Sequence, residues 1–258
     1  MEQDVCMKRI RLVIAYDGTN YCGWQLQPGL PTVEAQINKA LSSLLGEKIA
    51  VIGASRTDSG VHARGNVAVF DTDTRIPPEK ICLAVNQRLP EDIRVQSSIE
   101  VAADFHPRKV NCRKTYEYRI LNRNIALPME RLYSYFVYYS LDIDAMQKAA
   151  DYLAGEHDFK SFCSVKTQVK DTVRSIYRLS VRKKEDIIIL SVTGSGFLYN
   201  MVRIIAGTLI EVGRGAIPPE HMPAILLGRD RSLAGPTAPP QGLTLMNIDY
   251  ITDNIHGR

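Results

Sequence analysis

Little in this chain supports metal or redox chemistry. Its five cysteines, Cys6, Cys22, Cys82, Cys112 and Cys163, are scattered, odd in number and never spaced as CxxC. A disulfide framework or a zinc site is therefore not expected. The five histidines, His62, His106, His157, His221 and His256, form no HExxH or HxH pair, so no metal site is expected from them. No apolar run approaches the roughly 18 residues that span a bilayer. The opening Met-Glu-Gln-Asp is unlike a signal peptide, and the reducing cytoplasm is the expected location. Low-complexity linkers and strong charge of one sign are missing too. The formal net charge of +4 permits an acidic partner such as RNA without demanding one. What remains is an ordinary globular composition, 45% hydrophobic and 23% charged over 258 residues. That is enough for one large domain or two small ones with ample core.

Hydrophobic periodicity divides the chain twice in the same way. Residues 10–15 read as a buried strand stopped by Tyr16-Asp17-Gly18. Thr32 is a candidate N-cap for a helix carrying Val33, Ile37, Ala40, Leu41, Leu44 and Leu45, ended at Gly46. Strands are expected over 49–52 and 67–70, then a helix opened by Pro77-Pro78 and stopped at Pro90, then a strand over 93–101. After Pro107 come a strand over 115–121, a helix over 144–153, and a hairpin of 173–181 with 187–192 around Lys183-Lys184-Glu185-Asp186. A helix over 197–212, a short one over 219–227 and a strand over 243–250 close the chain. Both halves read strand, helix, strand, strand, helix, strand, the split-βαβ order. An α+β protein is expected: two similar βαββαβ halves, 1–106 and 107–258, sharing a largely antiparallel or mixed central sheet with helices packed on it. The active-site cleft is expected between the halves.

Three stretches could carry chemistry. In Gly53-Ala54-Ser55-Arg56-Thr57-Asp58-Ser59-Gly60-Val61-His62-Ala63, Asp-Ser-Gly is ordinary turn chemistry. Yet the loop gathers a carboxylate, Arg56, His62 and Arg64 just after a strand, where catalytic groups are often held. The second stretch, Gly194-Ser195-Gly196 with Tyr199, lacks the third glycine of a dinucleotide-binding turn. It leads instead to Arg203, about two turns into an otherwise apolar helix. That arginine either snorkels outward or is partly buried against a carboxylate. The third, Arg108-Lys109-Val110-Asn111-Cys112-Arg113-Lys114-Thr115-Tyr116-Glu117-Tyr118-Arg119, interleaves cations with tyrosines. It suits either an RNA surface or a defended edge strand.

In order and spacing these stretches resemble the motifs of the tRNA pseudouridine synthase A family. The resemblance rests on Arg56-Thr57-Asp58 with Gly60-Val61-His62, on Thr115-Tyr116-x-Tyr118, and on Phe197-Leu198-x-x-Met201-Val202-Arg203. Tyr16-Asp17-Gly18-Thr19-x-Tyr21-x-Gly23-Trp24-Gln25, Asp104-Phe105-His106 and Thr237-Ala238-Pro239 with Gly242-Leu243 add to it. Ser55 and Ser59 stand where the family usually has glycine and alanine.

The resemblance implies isomerisation of uridine to pseudouridine in the tRNA anticodon stem-loop, at positions 38–40, without cofactor or metal. Asp58 matches the family's nucleophile and Arg203 the arginine paired with it. Tyr116 matches the tyrosine that stacks on the uracil near the departing C5 proton, and Arg56 the arginine that accompanies base flipping. Tyr116, Arg108, Lys109, Arg113, Lys114 and His62 are the candidate substrate-binding residues. Family members are homodimers, so a homodimer is the expected partner state, with tRNA as the other partner. Two rivals stand beside this reading: an RNA-binding module without chemistry, and a nucleotide-dependent oxidoreductase using residues 194–196.

Overall fold

The computed structural model describes residues 7–165 and 169–251; Cys6 and His256 lie outside the described residues. Contacts gather the chain into two compact units, Met1–Cys112 with Leu245–Arg258, and Arg113–Thr244.

The first unit runs β1 (Lys8–Tyr16), α1 (Val33–Leu45), β2 (Ile52–Gly53), β3 (His62–Thr72), α2 (Ile81–Asn86) and β4 (Ile93–Val101). Strand β1 lies antiparallel between β3 and β4, and β2 is antiparallel to β3. Along β1 the even positions Ile10, Leu12, Ile14 and Tyr16 are buried, while Arg9, Arg11, Val13 and Ala15 are half-exposed. A strand expected to be buried throughout is thus buried on one face, the usual state of an antiparallel sheet.

Helix α1 has the ends its sequence announces. Thr32 caps it by accepting from Ala35 N–H, and Gly46 leaves it in the left-handed region at φ 72°. The strand expected over 49–52 shrinks to Ile52–Gly53. Ile49 N–H is taken by Ser42 Oγ and Val51 N–H by Asn38 Oδ1, so side chains of α1 satisfy backbone donors that a ladder would otherwise claim. The helix opened by Pro77-Pro78 is also shorter than expected. A 3-10 turn, Pro78–Lys80, leads into only six residues of α2. The Asn86 amide then bonds both Val95 N–H and Val95 O, tying the helix end to β4.

The second unit contains β5 (Cys112–Asn122), β6 (Tyr135–Val137), α3 (Ile143–Asp151), β7 (Gly155–Asp158), β8 (Val173–Lys184), β9 (Ile187–Gly194), α4 (Met201–Gly213) and α5 (Met222–Gly228). Antiparallel pairings join β5 to β9, β9 to β8 and β8 to β7, whereas β6 runs parallel to β5, which makes the sheet mixed. Helix α3 packs on β8 and α4. The hairpin strands are longer than expected and leave Glu185-Asp186 as the turn, with Glu185 at φ 53°. The short strands β6 and β7 were not expected; neither carries an extended apolar alternation.

The last strand, β10 (Leu243–Tyr250), belongs from Leu245 onward to the first unit. Tyr250 stacks edge-on against Phe105 at 5.1 Å and donates to Pro107 O at 3.0 Å. It seals a small cluster of Val69, Val101 and Phe105. With β6, β7 and α5 set aside, the elements from β1 to β4 and those from β5 to β10 each run βαββαβ in chain order, and the fold is α+β as expected.

One boundary changes a site residue. The helix expected from Phe197 begins only at Met201, because Asn200 sits in the left-handed region at φ 62°. Arg203 therefore lies in the first turn of α4, not two turns into it. Every other residue of that helix except Glu211 is buried.

Candidate active site

The loop carrying Asp58 leaves the sheet at Ala54, whose N–H bonds Val67 O at 2.7 Å, and rejoins it at β3. Between these points it turns tightly. Val61 N–H returns to Asp58 O at 3.1 Å, and Gly60 supplies the positive φ of 76°. Asp58 is half-buried, Arg56 and Ser59 are exposed, and Thr57 is buried between them.

A second segment, residues 16–24, lies directly against this loop. Trp24 N–H donates to Thr57 O at 3.1 Å, Gly60 N–H to Tyr21 O at 3.2 Å, and Ser59 Oγ–H to Tyr21 O at 3.2 Å. The approach is backbone against backbone. A Cβ on Gly18 would stand 2.0 Å from Val61 O, and one on Gly23 would stand 2.5 Å from Thr57 O. Gly23 also has φ +86°; only glycine meets both demands without strain. Trp24, 1% exposed, lies under Gly53, whose Cβ would meet the indole Nε1 at 2.3 Å. Tyr21 anchors the segment from the far side by donating to Asp92 Oδ1 at 2.5 Å. Burial, with Asp92 beside it, pushes the Tyr21 phenol well above its ordinary range, so it stays a neutral donor.

His62 opens β3 and is 5% exposed. Its Nδ1 lies 3.0 Å from the Gly18 N–H and 3.1 Å from Asp17 Oδ1. Nδ1 accepts from the Gly18 N–H and stands beside the Asp17 carboxylate. These contacts fasten residues 17–18 to the start of β3.

In the second unit Tyr116 is 6% exposed on β5, with the Phe197 ring edge-on at 5.2 Å and 86°. Two residues on, Tyr118 is fully buried and donates to Pro239 O at 2.8 Å. Burial drives its phenol pKa far up, and the nearby positive charge of Arg203 opposes that rise. Arg203 is half-buried and held on two sides, Nε donating to Ala238 O at 2.8 Å and Nη1 to Asn200 Oδ1 at 2.9 Å. A cation in the first turn of a helix is opposed by the helix dipole, and these two acceptors offset that opposition. The 236–238 strap reaches α4 because Gly207 is bare there: a Cβ would meet Pro236 O at 1.8 Å.

The basic residues fall into two groups. Arg108 and Lys109 are exposed in the first unit, just after His106, whose carbonyl takes Lys109 N–H at 3.0 Å. Arg113 is exposed at the start of β5 with its guanidinium 5.3 Å from the Tyr177 ring, and Lys114 is half-exposed beside it. Asp58, Arg56 and His62 thus share one loop and strand of the first unit, whereas Tyr116, Arg203, Arg113 and Lys114 belong to the second. The sequence marks the 16–24 segment as a motif without revealing its task. Its signal is two glycines and the only tryptophan inside a loop. Phe197 and Ala238 likewise fall in quoted motifs that do not reveal their task, and Asn200 has no signal at all, since the partner of a guanidinium carries no periodicity.

The profile of the tRNA pseudouridine synthase family matches residues 12–108 and 149–251. The chain belongs to the tRNA pseudouridine synthase family. Asp58 and Arg203 fall inside the matched segments, and Tyr116 lies between them. Curated members of the family named tRNA pseudouridine synthase A are close in sequence. The Brevibacillus brevis protein is 50% identical over 244 residues, 95% of this chain and 100% of that one. The Ruminiclostridium cellulolyticum protein is 52% identical over 245 residues, with the same shares. A solved archaeal box H/ACA sRNP Nop10-Cbf5 complex is similar at TM-score 0.36 and 10% identity, covering 78% of this chain and 44% of that one. Among the described residues of this tRNA pseudouridine synthase family member, no group of three or more His, Cys, Asp or Glu is placed to hold a metal ion. No helix among them is long and apolar enough to cross a membrane.

The close approach of the two segments is open to test. Gly23→Ala adds a Cβ at a left-handed position against the Thr57 carbonyl. It should lower unfolding stability by about 1–3 kcal/mol, read by urea denaturation. An unchanged midpoint would contradict the tight packing.

Proposed function

We propose that this chain isomerises uridine to pseudouridine at positions 38–40 of the tRNA anticodon stem-loop, with Asp58 as the nucleophile. The reaction breaks the N1–C1′ bond, turns the uracil and joins C5 to C1′; the proton lost from C5 is balanced by one gained at N1. It is redox-neutral and transfers no outside group, so it requires no cofactor. The observation that carries the reading is the placement of Asp58: a half-buried carboxylate on a loop bound along its backbone by residues 21–24. It lies within a chain that matches curated tRNA pseudouridine synthases along their whole length. A fixed carboxylate is a competent covalent catalyst once an electrophilic carbon is brought to it.

The other roles are those the resemblance implies, and their chemistry supports them. Arg203 is the countercharge that keeps Asp58 ionised when the bound base takes it out of water. Its guanidinium is already oriented by Asn200 and Ala238, which reduces the ordering needed when substrate arrives. Tyr116 stacks on the uracil, its ring braced by Phe197, with its hydroxyl near the C5 proton. Arg56, exposed beside the nucleophile, takes the space of the extruded nucleotide. Arg108, Lys109, Arg113 and Lys114 contact phosphates, and reading of the stem-loop is mostly by shape and backbone. His62 is the remaining candidate substrate-binding residue, and its bonds to residues 17–18 hold it at the start of β3. The enzyme acts as a homodimer in the cytoplasm, doubling a basic surface whose net charge per chain is only +4.

Tritium release from C5-labelled uridine in tRNA tests the reading. The wild type should release tritium. Asp58→Asn should fall to background with tRNA affinity within about threefold, because phosphate contacts supply most binding. An Asp58→Asn enzyme with the wild-type rate would overturn the assignment. Arg203→Ala should lower turnover about 10²–10³-fold, the usual effect of losing one preorganised electrostatic partner, and affect affinity far less. A normal rate in that variant would sink the pairing.

A further inference from the structure

Beneath the Asp58 loop lies a buried polar network that packing alone does not need. Tyr16, at the end of β1, is 4% exposed, and its hydroxyl is 2.7 Å from Thr57 Oγ1. Asn66, fully buried within β3, sends Nδ2–H to Ser55 O at 3.0 Å and to Tyr16 Oη at 3.4 Å. Its Oδ1 accepts Val67 N–H at 2.9 Å. The two Asn66 amide protons go to Ser55 O and Tyr16 Oη, and the Tyr16 and Thr57 hydroxyls share one further bond in which either can donate. Each buried polar group thus has a partner, as burial requires.

The network grips the loop at two residues of the run that leads into Asp58: the Ser55 carbonyl and the Thr57 side chain. Between β1 and β3 the register shifts, Ile14 facing Asn66 but Tyr16 facing Ala63. The bulge inserts one extra residue in β3, the device by which sheets re-aim side chains beside functional sites. An asparagine within the run Asn66-Val67-Ala68-Val69-Phe70 would otherwise be a poor choice for a core strand.

We propose that Tyr16 and Asn66 are positioning residues for the isomerisation, acting through Thr57 and Ser55 to hold Asp58 at its reacting distance. The proposal rests on Asp58 being the nucleophile. Neither residue touches substrate; both limit the travel of the loop. Displacing a reacting group by about 1 Å lowers a rate by roughly 10²-fold, and the basic residues proposed to set affinity, Arg108, Lys109, Arg113 and Lys114, lie outside this network. The expected signature is a loss in kcat with KM kept.

The test uses single-turnover tritium release, tRNA affinity and thermal melting on the full chain. Tyr16→Phe and Thr57→Val should each slow the chemical step about 10–100-fold, with affinity within about twofold. Thr57→Ser, which keeps the hydroxyl, should recover the rate lost in Thr57→Val. Tyr16→Phe combined with Thr57→Val should be no slower than the slower single variant, since both remove one bond. A Tyr16→Phe enzyme that melts lower but reacts at the wild-type rate overturns positioning and leaves a structural role. A raised KM with kcat intact overturns it in favour of binding. If Tyr16→Phe does not fold, the Thr57→Val and Thr57→Ser pair decides, and failure of serine to recover the rate counts against the proposal. Asp58→Asn is run alongside. Activity there sinks the nucleophile reading and this proposal together, whereas an inactive Asp58→Asn beside a fully active Tyr16→Phe sinks only the positioning.

Discussion

Backbone packed on backbone, where residues 16–24 meet the 54–61 loop, is the constraint on which the rest of the site depends. Gly18 and Gly23 let the two segments approach to distances that a single methyl group would forbid. Trp24 N–H and Tyr21 O then bind the loop's own polar groups. A loop held this way loses little further entropy when substrate arrives, because its backbone bonds are made in advance. Tyr21, with its phenol kept neutral by burial and bonded to Asp92, extends the restraint to the turn before β4. A carboxylate that must meet one carbon of a flipped base needs this kind of support.

Electrostatics impose a second constraint. Arg203 stands in the first turn of an almost wholly buried helix, where the dipole opposes a cation. The chain answers with the Ala238 carbonyl and the Asn200 side-chain oxygen, and with a strap that reaches the helix only because Gly207 and Gly235 lack side chains. Retaining an arginine at so unfavourable a place makes sense if its charge has a task. The proposed pairing with Asp58 supplies one: an opposite charge nearby keeps a desolvated carboxylate ionised.

Much of this is legible in the amino-acid sequence, and what is not has physical reasons. Helix α1 announces both ends through Thr32 and Gly46, and β4 and the closing strand lie where their apolar patterns put them. Residues 49–52 do not form a full strand because Ser42 and Asn38 take the backbone donors, a competition invisible to periodicity. Helix α4 starts four residues later than expected because Asn200 takes a left-handed conformation, which moves Arg203 from mid-helix to the first turn. Asp58, Tyr116 and Arg203 stand out through ordered resemblance, whereas local composition around Asp58 suggests only a turn. Tyr16 and Thr57 sit inside quoted motifs, but the bonds that join them and Asn66 leave no sequence signal because they form only once β1, β3 and the loop are folded together.

The claim that Asp58 attacks the substrate is tested most directly by trapping. Anticodon stem-loop RNA with 5-fluorouridine at the target position has no C5 proton to lose, so a covalent intermediate should persist. After nuclease and trypsin digestion, the nucleotide mass should sit on the peptide that follows Arg56 and ends at Arg64, which contains Asp58. Attachment to a peptide without Asp58 would contradict the account.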